Sequence, residues 1–337
     1  MASLTTSSDT SPEWGRCLAN CVGTLVGGLV LLYALMILVD PYDSGRFGVL
    51  GIDGVNDRNT LTSAASRARD PNFDSAIIGN STAQMLEPTE LSKATGLRFV
   101  QLYMTGANPH EQLMLVDFFL KHHKRVGAFV FVVDPWWCHH VPIQSPPGTF
   151  PDWLYSESPL VYATHLLSWT TIEHTFQRFS IGLGWHHRRD PTGFFSYEDI
   201  WLPGTFREIS PPRDPLPAAT IAERETLPDV ARLDALVKRL PAETSVVIVV
   251  PPTLQSKMPQ PGTPAAADRE ACNAALKRVV AGRPNSNFIN YRIDNALTRD
   301  RANFADFIHY RPSIATKIME GIAASIRDGE AAKIDFR

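Results

Sequence analysis

The sequence predicts an α/β protein, a doubly wound parallel sheet of the three-layer, flavodoxin-like kind, carried on a single N-terminal transmembrane helix. Three observations predict it. Short, uninterrupted apolar runs ("FDSAIIG", "VGAFVFVVD", "TSVVIVVPP") have the character of parallel strands buried on both faces. Amphipathic stretches of helical length stand between them, so strand and helix alternate as crossover connections require. Near the start, the 23 residues from Cys17 to Val39 ("CLANCVGTLVGGLVLLYALMILV") carry no formal charge, enough to cross a hydrocarbon core about 30 Å thick.

In chain order, residues 1–16 form a short tail and 17–39 the anchor. The rival for the anchor is a cleaved signal peptide, whose apolar region runs about 7–15 residues before a small-x-small cleavage site. "MILVDPYDSG" offers no such site. Arg16 on one flank, with Arg46 and Arg58 on the other, gives the positive-inside rule too little to orient the span. Residues 40–70, rich in Gly, Asp and Arg and without periodicity, read as a connector.

The α/β domain covers 71–327. "FDSAIIG" is the first strand, "TAQMLEPTELSKATG" one or two short helices ending at Gly96, and "LRFVQLYMTGA" the second strand, closing on Gly106. "PHEQLMLVDFFLKHHK" is a helix and "VGAFVFVVD" the third strand. From about 135 to 217 the pattern breaks into a Trp-, Pro- and His-rich insertion with one helical stretch, "LVYATHLLSWTTIEHTFQRF". Order returns as the helix "TLPDVARLDALVKRLP", the strand "TSVVIVVPP", the helix "AADREACNAALKRVVAG", the strand "SNFINY" and a last helix, "SIATKIMEGIAASIRD". Residues 328–337 are a C-terminal tail.

Composition narrows the function. A net charge of −3, with no stripe of Lys and Arg interleaved with aromatics, argues against nucleic acid as a partner. The 44 % hydrophobic content supports a full core. Four cysteines make no disulfide framework: Cys17 and Cys21 lie in the anchor, and whether Cys138 and Cys272 pair is left open.

Ser81, at the junction of the first strand and the following helix, has two readings. It is an N-cap, accepting a hydrogen bond from an orphan amide, or a nucleophile exposed at the carboxyl end of a central parallel strand. A hydroxyl nucleophile needs an imidazole base, and the imidazole needs a carboxylate to hold its tautomer. "NFADFIHYRPS", just before the last helix, supplies Asp306 and His309 three residues apart, a spacing that brings both side chains to one side of a turn.

On these blocks, over roughly residues 71 to 327, the chain resembles the SGNH (GDSL-like) hydrolase superfamily. It looks most like the membrane-anchored bacterial branch with the alginate-acetylating proteins and the D-alanyl lipoteichoic acid protein. The resemblance implies Ser81 of "IIGNSTAQM" as nucleophile, His309 as base and Asp306 as its orienter. It implies an oxyanion hole from Ser81 and the amide of Gly106 in "LYMTGANPHEQ", and "IVVPPTLQS" resembles the branch's proline-rich strand end. Two departures stand out. Asn80 occupies the usual aspartate position, and "VVDPWWCHH" replaces the Gly-x-Asn-Asp that follows the third strand, leaving Asn108 as substitute oxyanion donor.

The function this implies is transfer or hydrolysis of an acyl ester, acetyl above all, on a cell-surface or extracellular polysaccharide. The setting is the bacterial inner (plasma) membrane, with the domain in the periplasm or extracytoplasmic space. A multi-pass membrane O-acyltransferase is the implied partner, and no cofactor is implied. The alternatives are a non-catalytic SGNH-fold component that binds glycan or a membrane partner, and a soluble secreted esterase cleaved near residue 40.

Other features have bland readings beside sharp ones. The pairs His122-His123, His139-His140 and His186-His187 invite a metal, but adjacent residues do not converge on one ion. Trp136, Trp137, Trp153 and Trp201 either stack on sugar rings or form a small core under long loops. Asp134, ending the third strand, either faces substrate or caps the next turn. The 16-residue spacing of Trp137, Trp153, Trp169, Trp185 and Trp201 has no repeated sequence between its members and reads as coincidence.

Overall fold

The computed structural model describes residues 12–47, 49–56, 59–199, 204–208 and 226–329. Five strands, β1 Ser75–Gly79, β2 Phe99–Tyr103, β3 Ala128–Val132, β4 Ser245–Val250 and β5 Asn287–Asn290, form one sheet in the order β2-β1-β3-β4-β5. Every pairing is parallel. The helices are, in chain order, α1 Pro12–Val39, α2 Thr60–Ala68, α3 Pro88–Thr95, α4 Pro109–His122, α5 Asp152–Tyr155, α6 Pro159–His165, α7 Trp169–Gly182, α8 Pro228–Arg239, α9 Pro264–Val279, α10 Ala296–Arg299 and α11 Pro312–Asp328.

Alternation along each strand sends side chains to two separate cores. Ile78, Leu102, Phe129, Phe131 and Ile248 pack under α2, α4, α8 and α9. Ile77, Val130, Val132 and Val247 pack under α3 and α11. That is why the central strands read as unbroken apolar runs: both faces are covered. Proline opens α3, α4, α6, α8, α9 and α11, where its fixed φ suits a first helical turn and its missing N–H would have gone unbonded.

Two expectations change. Residues 40–70 are more than a connector: Asn59 caps α2 by accepting from the Leu61 amide, and the helix buries Ala64, Ala65 and Ala68 against the core. Its stripe is built from Ala, Ser and Thr, which a search for large apolar residues passes over. The helical stretch in the insertion is two helices, α6 and α7, broken where the Ser168 side chain accepts from the Thr171 amide and starts α7 afresh.

Among the described residues α1 is the one helix long and apolar enough to cross a membrane, over Trp14–Val39 with a mean hydropathy of 2.5. Its C-terminal end is locked to the domain by Arg178 of α7, which is 2 % exposed. Arg178 donates to the carbonyls of Val39 (2.7 Å), Asp40 and Ile52, and to Asp43 Oδ1 at 2.6 Å. A cation there meets the negative end of the helix dipole and satisfies carbonyls left without a partner. Ser66 Oγ adds a 2.6 Å bond to the buried Asp43, and the Tyr162 hydroxyl a 2.5 Å bond to Asp40.

Cys138 and Cys272 form a disulfide that closes a loop across 134 residues, tying the turn after β3 to α9.

Replacing Arg178 with Ala should cost about 3–5 kcal/mol, because Asp43 is left buried with less compensation, and denaturant unfolding of the full chain in detergent would measure it. Removing the disulfide with Cys138→Ser and Cys272→Ser should lower stability by about 2–5 kcal/mol, as release of a long closed loop requires. A shift in the urea midpoint at constant slope would report it.

Candidate active site

At the carboxyl edge of the sheet, β1 lies between β2 and β3, where chain direction across the sheet reverses and open α/β sheets leave a crevice. The chain leaves β1 at Gly79. A Cβ there would stand 2.8 Å from Ala83 Cβ and 3.1 Å from the Val132 carbonyl oxygen, so only glycine lets the next turn fold back over the strand ends.

That turn is the 3-10 segment Ser81–Ala83, and Asn80 caps it by accepting from the Thr82 amide at 3.1 Å and the Thr82 hydroxyl at 2.9 Å. The N-cap reading of Ser81 therefore passes to Asn80. Ser81 is the first residue of the turn, half-buried, with its hydroxyl left for other work.

The other half arrives from the far end of the chain. Phe304 and Tyr310 pair as an antiparallel bridge, the Ala305 amide donates to the His309 carbonyl at 2.8 Å, and both aromatic rings are buried. The loop they pinch off presents Asp306 and His309. Asp306 Oδ1 accepts from the amides of Ile308 and His309, each at 2.9 Å, and Oδ2 lies 2.7 Å from His309 Nδ1. His309 Nε2 lies 2.9 Å from Ser81 Oγ. With Nδ1–H given to Asp306, Nε2 is left to accept the Ser81 proton, the tautomer a base needs.

The Tyr310 hydroxyl donates to the Thr82 carbonyl at 2.7 Å and so bolts the histidine loop to the serine turn. Tyr197, from the insertion, sets its ring edge-on to the imidazole at 5.6 Å between centroids and donates its hydroxyl to the Tyr310 carbonyl. Burial drives the Tyr197 hydroxyl well above the ordinary tyrosine range, so it stays a neutral donor. Tyr197 carries no signal in the sequence, because nothing local in "FFSYED" connects it to residue 309.

Electrostatics separate the two aspartates. Burial alone would raise Asp306, but the bond and charge of His309 and the two loop amides outweigh it, and the carboxyl lies below its ordinary value. Asp134 goes the other way. Burial raises it to about 6 despite the charge of Arg292, the Asn80 amide and the Trp136 amide. Burial likewise lowers Arg292 to about 10.

The remaining expected residues distribute unevenly. Asp134 faces the serine turn: Oδ2 accepts from Asn80 Nδ2 and Oδ1 from the Trp136 amide at 3.1 Å. Its capping reading holds, and an amide at residue 80 supplies the donor that an aspartate would lack. Gly106 sits after β2 at φ +71 and is exposed, and neither its amide nor that of Ser81 meets a protein acceptor among the described residues.

Asn108 does not serve as oxyanion donor in this arrangement. It forms a capping box with Glu111 at the start of α4, and its Nδ2 donates to Ser145 Oγ at 3.1 Å. Trp137 is fully buried in the core and cannot stack on a ligand, whereas Trp136 is partly exposed. Trp153 stacks on His165 and packs on Tyr42, and Trp201 lies outside the described residues. His122 and His123 bond the carbonyls of Phe118 and Ala68.

Compared with known proteins, the chain matches no family model and no curated sequence.

Asn80→Asp should bring a second carboxylate against Asp134, so that one of the pair stays protonated in the folded state. An acid raised on folding binds a proton that the unfolded chain releases, so its contribution to stability is lost as pH rises from about 4 through the folded pKa. The variant should therefore lose about 1–3 kcal/mol at pH 8 and recover part of it by pH 5, read from thermal melts of variant and wild type at the two values.

Proposed function

We propose that the chain is a membrane-anchored serine acyl-ester enzyme of the SGNH type, acting on acetyl esters of a cell-surface polysaccharide. The observation that carries this reading is the unbroken run Asp306–His309–Ser81 at the carboxyl edge of the sheet, with bonds of 2.7 and 2.9 Å. A serine of 3-10 geometry whose hydroxyl meets a carboxylate-held imidazole is a poor structural motif and a good nucleophile. The flavodoxin-like strand order and the free amides of Ser81 and Gly106 support the same reading.

In the reaction, His309 takes the Ser81 proton as Oγ attacks the acyl carbonyl. The oxyanion develops near the amides of Ser81 and Gly106, and the positive end of the turn favours it. Collapse breaks the bond to the leaving oxygen, which receives the proton from His309, and leaves Ser81 acylated. His309 then deprotonates an acceptor, a sugar hydroxyl for transfer or water for hydrolysis, whose oxygen attacks the acyl carbon; the bond to Ser81 Oγ breaks, and Ser81 takes the proton back from His309. Asp306 stays ionised throughout and stabilises the imidazolium.

The placement that best fits is extracytoplasmic. A disulfide between Cys138 and Cys272 persists in oxidising compartments, and α1 would hold the domain at the membrane, beside a multi-pass O-acyltransferase as donor partner.

A second reading has its own observation. Asn108, the one side chain expected to donate to the oxyanion, serves the scaffold, so no side-chain oxyanion donor is assigned among the described residues. A non-catalytic glycan-binding component of an export or modification assembly would look like this.

Intact mass after exposure to a chromogenic acetyl ester should show an adduct of about 42 Da on wild type and none on Ser81→Ala or His309→Ala, the mark of an acyl-enzyme. Asp306→Asn should retain the fold and lose about 10³–10⁴-fold in turnover, through the wrong imidazole tautomer. Adding glycan acceptors divides transferase from esterase. Glycan binding without turnover or adduct, surviving Ser81→Ala, would establish the second reading instead.

A further inference from the structure

We propose that α6 and the N-terminal part of α7 form a membrane-seated collar, an interfacial surface that lies in the headgroup layer of the same bilayer that α1 spans. The inference rests on the reading of α1 as a membrane anchor and says what that reading does not: a second part of the chain meets lipid, and it fixes how the domain stands.

The first support is depth. On α1 the large apolar residues are exposed from Trp14 to Leu31, whereas Leu32, Tyr33, Met36 and Ile37 pack against the domain. Seventeen steps separate Arg16, the last charge before the span, from Tyr33, about 25 Å at 1.5 Å per residue. A hydrocarbon core is about 30 Å thick. The domain thus takes hold of α1 before the helix has run the depth of the core, and whatever touches Tyr33 stands at or below the lipid surface.

What touches Tyr33 is α6. The tyrosine hydroxyl donates to the Ala163 carbonyl at 2.9 Å. About two turns further on, just past the end of α1, Tyr162 on the same short helix reaches Asp40. These two bonds hold α6 and the elbow after it against the exit end of the span.

The second support is chemistry. From Ser158 to Ile172 ("SPLVYATHLLSWTTI") there is no Asp, Glu, Lys or Arg. While Tyr162 and Leu166 are buried, other apolar side chains of the segment are turned outward: Leu160 is 76 % exposed, Leu167 72 % and Trp169 73 %. Trp169, Phe176 and Leu183 recur at seven-residue spacing, and all three are exposed, so the stripe continues along α7 opposite the buried Thr171, Thr175 and Arg178. Glu173 sits beside this stripe and accepts from the Trp169 indole N–H at 2.7 Å, the mixed setting of ring and polar edge that tryptophan takes at headgroup level.

An exposed apolar patch of this kind needs a cover. Its continuity with α1, at matching depth, favours lipid over a protein partner or a second copy.

The test uses the full chain in bilayer nanodiscs of phosphatidylcholine and phosphatidylglycerol, with Cys17 and Cys21 replaced by Ser and the Cys138–Cys272 disulfide kept. Single cysteines at Leu25 in the span, Leu167 in the elbow and the exposed Ile293 far along the chain each carry an environment-sensitive fluorophore. Lipids bearing a shallow nitroxide quench the Leu167 and Ile293 probes, and lipids bearing a nitroxide near the acyl-chain ends quench the mid-span Leu25 probe. The Leu167 probe should be quenched at least about twofold more than the Ile293 probe, with a blue-shifted emission, as a side chain in the interface is.

Leu25 quenched with Leu167 as unquenched as Ile293 would overturn the collar while leaving the anchor, and would assign the patch to a protein partner. Leu25 and Leu167 both unquenched would overturn the anchor and the collar together.

Discussion

The hydrogen bond between Ser81 and His309 joins residues 228 apart in the chain, and the rest of the domain is organised by the need to hold those two turns still. Each turn is short and would wander alone. A parallel sheet solves the problem by collecting the carboxyl ends of its strands at one edge, so that the exit of β1 and the loop before α11 meet there. Gly79 lets the serine turn fold back against β3, the Phe304–Tyr310 bridge tightens the histidine loop, and the Tyr310 hydroxyl fastens the two. The cost of ordering these loops is met by the buried rings of Phe304 and Tyr310, which lie in the same core as β1.

Beneath that contact lies a second, less visible one. Asn80 uses its carbonyl to cap the serine turn and its amide to reach Asp134, so one side chain couples the ends of β1 and β3. The pairing explains why an asparagine suits this position. An aspartate would face the Asp134 carboxylate without a donor between them, and a buried pair of like charges is expensive. The two aspartates at the site thus diverge: Asp306 is held ionised by its histidine and amides, while Asp134 is raised by burial. Divergent carboxyl groups at one strand edge are what acid-base chemistry draws on, although here only one of them touches the imidazole.

The seam between α1 and the domain follows a related logic. Helix ends leave carbonyls unbonded, and a buried guanidinium with its several donors is suited to collecting them. Arg178 gathers carbonyls from Val39, Asp40 and Ile52 and pairs with Asp43, so the end of the span and the loop after it form one rigid joint. A flexible stalk would leave the carboxyl edge free to face any direction. A locked joint gives Ser81 a set orientation relative to α1.

The sequence by itself determined the alternation of strand and helix, the five strand segments, the apolar run of α1 and the short loop that carries Asp306 and His309, because each rests on local signals. Apolar runs mark strands covered on both faces, proline and glycine mark helix ends, and Asp306 and His309 share one short loop. The tertiary structure alone decided what depended on distant neighbours. Asn80, not Ser81, caps the turn, since a cap is defined by which oxygen faces the amide. Asn108, Asp134 and Trp137 went to the scaffold, because their partners Ser145, Asn80 and the sheet core lie far off in the chain or arise only on packing. α2 stayed hidden because its small residues become a hydrophobic face only against a surface that fits them. Tyr197, the Arg178 joint and the Cys138–Cys272 pair share one physical reason: each is a contact between segments that the chain separates and folding unites.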